Sequence, residues 1–538
     1  MENQILLYLT LAILAYAEIH FRFPFLPSRL YQKEPEIILD LPFRARFHDS
    51  VPLFLFVKDT HKFPITLNEL RVEVTDFHGN LISQFSQNLE IAAQEKFVTK
   101  TIILKPDLFP EPGNYQVNTL LSYQNSQKRL RTLSQDNYKH SPHPPFEITI
   151  SESDLPSFPG WYWGDLHVHS NYTQDQVEFG APLAATVQAA ITVGLNFIAF
   201  TDHSYDLDDL ADNFQRNDPD LQKWENFQTE VSEVQSKQDN FLIIPGEEVS
   251  VGNHKNQNVH CLILNDPRFY PGHGDSGEKL WQNRPTLSLD ELLIQKSQDA
   301  LAIAAHPREK PPLSQRIILR RGIWHQSDCL NNNLTALQIA NNHDPGALRE
   351  GLELWKNLLL QGKKIGIYAG TDSHGNYNCF RQISIPFLKM VYSRQHIMGK
   401  VRTAVMLKHF NLANLMEGIR KLNSVISNGP IAVFEAHGSE ITPIGGTISE
   451  TNDLHLVIHA KSTVEYGSWR ELNLYYGHRA KKIENKIGIA TENNRMEFKT
   501  RIKVQEPDAD YIRLEAFTEA GEQKYYCITN PIWIQANS

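Results

Sequence analysis

Between about Pro35 and Ser151 the chain alternates short apolar runs with turn residues: PEIILDLPF, VPLFLFV, LRVEVTDFHGNLISQF, FVTKTIIL, GNYQVNTLLSYQ and FEITI. Runs rich in β-branched and aromatic residues, punctuated by Asp, Gly, Asn and Pro at that spacing, predict an antiparallel β-sandwich over 35–152. The polar, Pro-rich segment LSQDNYKHSPHPPF reads as an exposed loop in or after it.

From Gly160 the rhythm changes to strand, helix, strand. Pro182 to Val193 is Ala-rich and closed by Gly194, with proline and glycine where a helix starts and stops. NFIAFTDH follows as a strand. Over 218–237 the residues Leu221, Trp224, Phe227, Val231 and Val234 share one helical face, and FLIIPGEEVS follows as the next strand. Ser288 and Glu291 form a capping box ahead of LAIAAHP, and Leu348, Leu352, Trp355 and Leu359 stripe a helix that ends at Gly362 and feeds KIGIYAGTDSH. Strands alternating with helices predict a parallel sheet, open or closed into a barrel, over 160–425. After SNGPIAVFEAHG the β pattern returns in LHLVIHA, LNLYYG, FKTRIKV, YIRLEAFT and YYCITNPIWI, so 430–538 reads as a second, smaller β-sandwich. Its boundary falls between about 411 and 450.

The 538-residue length suits three or four domains, each with its own core. A net charge of −10 disfavours a general affinity for phosphate backbones, so no nucleic-acid partner is expected. The four cysteines, Cys261, Cys329, Cys379 and Cys527, are too scattered for a disulfide framework or a Cys-rich zinc site. At the N-terminus ILLYLTLAILAYA, Ile5 to Ala17, is an apolar run closer in length to a signal-peptide core than to a span of about 20 residues. The segment 1–25 is accordingly read as a signal or anchor and the protein as extracytoplasmic or membrane-anchored. The cytoplasmic alternative is a buried helix packing on a neighbouring domain.

The candidate chemistry sits at the strand ends. The stretch GDLHVHSNYTQD carries His167 and His169, two apart and so on one side of a strand, with Asp175 in the loop beyond. The next strand ends in His203, the third in Glu247 and Glu248. NVHCLIL contains His260, LAIAAHP ends in His306, and IGIYAGTDSH ends in Asp372 and His374. Carboxyl ends of strands are where α/β folds place their active sites. Any one of these motifs is weak alone, because a histidine is commonly just a hydrogen-bonded, partly buried side chain. Scattered at random, 22 histidines would not select consecutive strand ends. Imidazole and carboxylate together suit zinc, manganese or iron, and nine such groups exceed the needs of one ion, so two or three divalent ions are expected.

In this order and spacing DLHVHS, IAFTDH, PGEEVS, VHCLIL, AHP and TDSH resemble the polymerase and histidinol phosphatase (PHP) family of metal-dependent phosphoesterases, over roughly residues 160–400. The flanking β-domains, SNGP and ITNPIWI are similar to a multidomain, often exported branch. The resemblance implies an α/β fold, a distorted (β/α)7 PHP barrel flanked by N-terminal and C-terminal β-sandwiches, with a trinuclear metal site. Its ligands would be His167, His169, Asp175, His203, Glu248, His260, His306, Asp372 and His374. Glu248 is preferred to Glu247 as the second residue after Gly246, and Glu178 could replace Asp175, whose loop departs from the commoner form.

The expected activity is hydrolysis of a small-molecule phosphate ester by water that the ions have activated. Arg308, then Arg381 and Lys255, are candidates for holding the substrate's charge. Asp202 would orient a ligand histidine, and His254 could shuttle protons. The loops NDPRFYPGHGDSGEKLWQNRP and GNYNCFRQ should shape the pocket. The alternatives are a carboxylic or carbamic ester hydrolase using the same site, and a non-catalytic envelope binding protein with a structural metal site.

Overall fold

The computed structural model describes Thr10 and residues 34–535, except 139–141, 174–179, 212, 276–281, 342–344, 386–388, 450–453 and 491–494. The signal or anchor segment expected over 1–25 therefore lies outside the described residues apart from Thr10. Among the described residues no helix is long and apolar enough to cross a membrane.

The N-terminal strands form two sheets. Glu36–Asp40, Val51–Lys58 and Phe97–Leu104 make a three-stranded sheet, and a six-stranded sheet is built on Ile65–Thr75, Leu81–Ala93 and Gly113–Asn125. Alternate residues point inward, so Leu53, Leu55 and Val57 of one sheet share a core with Leu67, Val72, Val117 and Leu121 of the other.

The central region consists of β1 (Trp161–His169), β2 (Phe197–Phe200), β3 (Leu242–Gly252), β4 (Asn258–Leu264), β5 (Leu301–Ala304), β6 (Ala336–Ala340), β7 (Gly366–Ala369), β8 (Ser373–His374), β9 (Arg402–Met406) and β10 (Ser424–Ser427). β1, β2 and β3 pair in parallel, as do β5, β6 and β7. β4 runs antiparallel to both β3 and β5, and β9 runs antiparallel to β1 and β10. The two-residue β8 pairs in parallel with the end of β1, setting Ser373 beside Val168 and His374 beside His169.

This architecture corrects the expected (β/α)7 barrel. Strand accounts for 45% of the described residues against 16% helix, and the seven α-helices among them do not supply one crossover per strand. Between β3 and β4 the chain turns back through residues 253–257 as a hairpin, which reverses the strand direction that a barrel of β/α units requires. Nor is the C-terminal region a detached sandwich. β10 pairs with Gln523–Thr529, so a 16-stranded mixed sheet continues from the central strands into Ser468–His478, Ile483–Ile489 and Tyr511–Ala520. A four-stranded sheet containing Ile431–His437 and His455–Lys461 packs against it. One hydrophobic core joins Phe54 and Phe56, Trp163 and Val168, and Leu456 and Leu514 across all three regions.

The local helix signals act as read. α1 (Leu183–Val193) follows Pro182 and ends at Gly194, whose φ of +105° lets its N–H reach back to Ala190 and Ile191. α2 (Ser204–Leu207) is a single turn, and α3 (Gln222–Gln235) buries Trp224, Phe227, Val231 and Val234. α4 (Leu289–Gln295) carries the complete Ser288/Glu291 capping box. α5 (Leu313–Ile318), α6 (Pro345–Leu360) and α7 (Leu412–Arg420) complete the set.

Candidate metal centre

Strand geometry gathers the candidate ligands. His167 and His169 project from one side of β1, and their Nε2 atoms lie 3.1 Å apart. On β3 the same alternation separates the adjacent acids. Glu248 reaches the histidine cluster, whereas Glu247 turns away, accepts hydrogen bonds from Ser204 Oγ (2.8 Å) and the Tyr270 N–H (3.0 Å), and is held well above the usual carboxylate range by burial. Glu248 is the hub. Its Oε1 lies 2.8 Å from His260 Nδ1, 3.3 Å from His306 Nε2 and 3.4 Å from His167 Nε2, and its Oε2 lies 2.9 Å from His203 Nδ1 and 3.5 Å from His169 Nε2. Asp372 Oδ1 stands 3.1 Å from His169 Nε2 and 3.3 Å from His167 Nε2. The His374 ring stacks on that of His169 at 4.0 Å.

These atoms form three overlapping sets that could hold a metal ion: His167, His169, Glu248 and Asp372; His169, His203 and His374; and His203, Glu248 and His260. Every expected ligand lies in or against these sets except Asp175, which with Glu178 falls outside the described residues.

The hydrogen bonds around the histidines fix which nitrogens face the cluster. Gln338 Nε2 donates to the Gly370 carbonyl at 2.8 Å, which turns Gln338 Oε1 toward His167 Nδ1 at 2.9 Å. That nitrogen carries a proton, so a neutral ring there would turn its Nε2 lone pair inward. Thr173 Oγ1 donates to Asp202 Oδ1 at 2.8 Å and so accepts from His169 Nδ1 at 3.2 Å, with the same result. His374 Nδ1 donates to the Asp372 carbonyl at 3.0 Å. Thus His167 and His169 turn their Nε2 atoms toward each other across 3.1 Å, between carboxylates. Glu248 Oε2 and His203 Nδ1, although 2.9 Å apart, are both buried without a hydrogen bond. Convergent lone pairs and orphaned buried donor atoms fit a divalent cation far better than they fit each other.

The electrostatics point the same way. Burial works against charge at His167, yet the Glu248 and Asp372 carboxylates outweigh it and push the imidazole up to about 9. His169 is held well below the usual range by burial and by the neighbouring His374 and His203. Burial opposes ionisation of Glu248, but His260 and His167 drive it well below the usual carboxylate range. A field that draws protons onto imidazoles in a buried place also draws metal cations. Backbone strain accompanies it, since His306 and Asp372 both adopt left-handed conformations, with φ of +29° and +54°. Such residues cost about 1–3 kcal/mol each and cluster at functional sites.

Beside the cluster opens a cavity of about 280 Å³. Its polar wall includes His260, His306, Arg321, Asp372, His374 and His396, and its apolar wall includes Ile323, Trp324 and Phe380. Arg321 is the cation on this wall. Arg308 and Lys255 are not among the lining residues. Arg381 is buried in ion pairs with Asp136 (2.7 Å) and Asp40 (3.4 Å), and His254 is paired with Asp328 at 2.9 Å. Asp202 does not reach the cavity but collects Ser170 and Thr173, and through Thr173 it orients His169. Sequence reasoning passed over Gln338, Thr173, Asp275, Arg321 and His396. Of these only Gln338, a polar residue inside the apolar run LQIA, left a signal.

No family model matches the chain, and no curated protein matches it. Among solved structures, the CARDB domain of the PF1109 protein from Pyrococcus furiosus, described as a complex with di-metal ions, aligns over 22% of this chain and 95% of its own at 13% identity, with a TM-score of 0.14. A β-glucuronidase of glycoside hydrolase family 2 aligns over 94% of this chain and 62% of its own at 8% identity, TM-score 0.19. The β-glucuronidase of Parabacteroides merdae aligns over 94% of this chain and 64% of its own at 10% identity, TM-score 0.19. This chain therefore spans less than two thirds of the length of either glucuronidase, and at these scores the likenesses establish neither a common fold nor a function.

Proposed function

We propose that this protein is a metal-dependent hydrolase, most simply a phosphoesterase of the PHP type, whose His/Asp/Glu cluster holds two or three ions of zinc, manganese or iron. The observation that carries the reading is Glu248, a buried carboxylate whose two oxygens face five imidazoles while one of them has no hydrogen bond. A carboxylate so placed would hold a divalent ion together with the imidazoles around it. His167, His169, Glu248 and Asp372 would hold one ion, and the overlapping sets of His203, Glu248 and His260 and of His169, His203 and His374 would serve the others, with His306 beside Glu248. Bound ions of this kind supply Lewis acidity and lower the pKa of coordinated water from about 16 toward neutrality.

The remaining work falls to the protein's own side chains. Gln338, Thr173 and the Asp372 carbonyl keep the imidazole protons on the outer nitrogens, so no ligand has to turn when substrate arrives. Arg321, with its side chain 26% exposed on the cavity wall, stands where an anionic ester oxygen would need a cation, the role first assigned to Arg308. His306 and His374 line both cavity and cluster, so a substrate held by Arg321 would have its reacting bond beside the ligands.

The apolar wall of Ile323, Trp324 and Phe380 favours a second reading, in which the same site cleaves carboxylic or carbamic esters. The test is hydrolysis of a matched panel of aryl phosphates, acetates and carbamates by metal-loaded and chelated protein. Chelator-sensitive cleavage of the phosphates supports the first reading. Chelator-sensitive cleavage confined to acetates or carbamates replaces it with the second, and chelator-insensitive or absent hydrolysis of all three sinks both.

A further inference from the structure

We infer that Asp275 is a positioning residue for the metal centre, fixing His260 as a ligand through a carboxylate–imidazole–metal relay. The inference rests on the metal-dependent reading above and deepens it.

The local geometry is built from one residue outward. Asn258 opens β4, two residues before His260, and its side-chain amide donates to the carbonyls of Gly274 (2.8 Å) and Leu319 (2.6 Å). Its backbone N–H donates to the Arg320 carbonyl (3.0 Å), and its carbonyl accepts from the Gly322 N–H (2.9 Å). One asparagine thus pins two loops against the strand. Gly274 has a φ of +117°, and a Cβ there would stand 2.6 Å from Asn258 Oδ1 and 2.7 Å from the Arg284 backbone, so the approach needs glycine. The two pinned loops carry the residues that follow, Asp275 and Arg321.

Asp275, whose side chain is 3% exposed, places Oδ2 2.5 Å from His260 Nε2 and 2.9 Å from Arg321 Nε. The other His260 nitrogen, Nδ1, faces Glu248. A neutral imidazole ligand has one lone pair for the metal and one N–H that requires an acceptor, and here a buried carboxylate meets the N–H side. Asp275 Oδ1 is buried and takes no hydrogen bond, so among the described residues the carboxylate's directed contacts run through Oδ2 to His260 and to Arg321, whose Nη2 also lies 3.2 Å from His260 Nε2. Gln338 and Thr173 orient their histidines with neutral acceptors, whereas Asp275 brings a charge, which raises the donor strength of His260.

The test is competition between the protein and a chromophoric chelator for zinc, on wild type, Asp275→Asn and Arg321→Gln, with thermal melting of each metal-free protein as a check on folding. The expected result is two or three ions in wild type, with one ion held about 10–100-fold more weakly in Asp275→Asn and the others unchanged. Arg321→Gln, which leaves the carboxylate to His260 alone, should not weaken any ion. If both variants weaken the site alike, Asp275 is only the structural partner of Arg321 and the inference fails. It fails equally if Asp275→Asn leaves every affinity unchanged, and in either case the metal reading stands. A wild type that takes up no ions overturns both. Should Asp275→Asn not fold, Arg321→Gln decides, a weakened site counting against the inference and an unweakened one for it.

Discussion

Gln338 is uncharged, and it does for His167 what a backbone carbonyl does for His374. Its amide is locked by the Gly370 carbonyl, so its oxygen has one orientation and the imidazole one tautomer. Gln338→Leu keeps approximate volume and removes these bonds together with those to the His306 N–H and Asn341 Oδ1. Expected are a stability loss of about 1–3 kcal/mol from the unsatisfied buried groups, seen in denaturant unfolding, and metal affinity about 10–100-fold lower by chelator competition. Unchanged affinity would show that the amide does not orient the ligand. The adjacent acids offer a sharper contrast. Glu248→Gln should abolish binding of at least one ion in elemental analysis, while Glu247→Gln, replacing a carboxyl whose ionisation burial opposes, should retain the full complement. The reverse pattern would mean that the strand register assigned to β3 is off by one residue. His167 with His169, and Asp372 with His374, were legible as pairs two residues apart at strand ends, whereas Glu248 was preferred to its neighbour Glu247 only through the resemblance, as the second residue after Gly246. Asp275 and Arg321 were not legible, because only tertiary pinning by Asn258 brings their loops to His260, and no spacing rule encodes it.

At the scale of elements, the strand ends deliver ligands because β7 can pass very close to β1. Gly370, just after β7, has His167 Cβ 2.6 Å and the His167 backbone N 2.8 Å from where its own Cβ would be. Gly370→Ala must push the two strands apart. The expected cost is about 1–3 kcal/mol in unfolding free energy, with reduced metal content in the folded fraction. A fully stable, fully loaded variant would contradict the close approach. Helix boundaries were readable because caps are local: Gly194 closes α1 and Ser288 with Glu291 opens α4. Strand direction was not readable. The hairpin at 253–257 leaves the apolar runs of β3 and β4 intact and reverses only the pairing, so the apolar rhythm reads as β/α units where β4 runs antiparallel to both its neighbours.

The whole molecule is knit by charges as well as by its common core. Arg381, expected among the substrate-binding cations, instead joins the segment after β8 to the N-terminal sandwich through Asp40 and Asp136, and all three side chains are nearly inaccessible. Arg381→Ala would strand two buried carboxylates, with an expected loss of about 3–5 kcal/mol measured by chemical denaturation. A loss under about 1 kcal/mol would mean the pair behaves as a surface bridge. Phe380 and His396, on the same stretch of chain, line the cavity, so the N-terminal sandwich acts as a buttress for the site. The sequence pattern marked the β-rich flanks but not their continuity with the centre, since the pairing of β10 with Gln523–Thr529 joins residues about a hundred positions apart. All of these relations serve one central claim, that the buried cluster is a metal centre. It is tested most directly by elemental analysis of the purified protein before and after exhaustive chelation and reloading. Two or three zinc, manganese or iron ions per chain, removed by chelator and restored on reloading, are expected; a protein that contains none as purified and takes up none when offered them would contradict it.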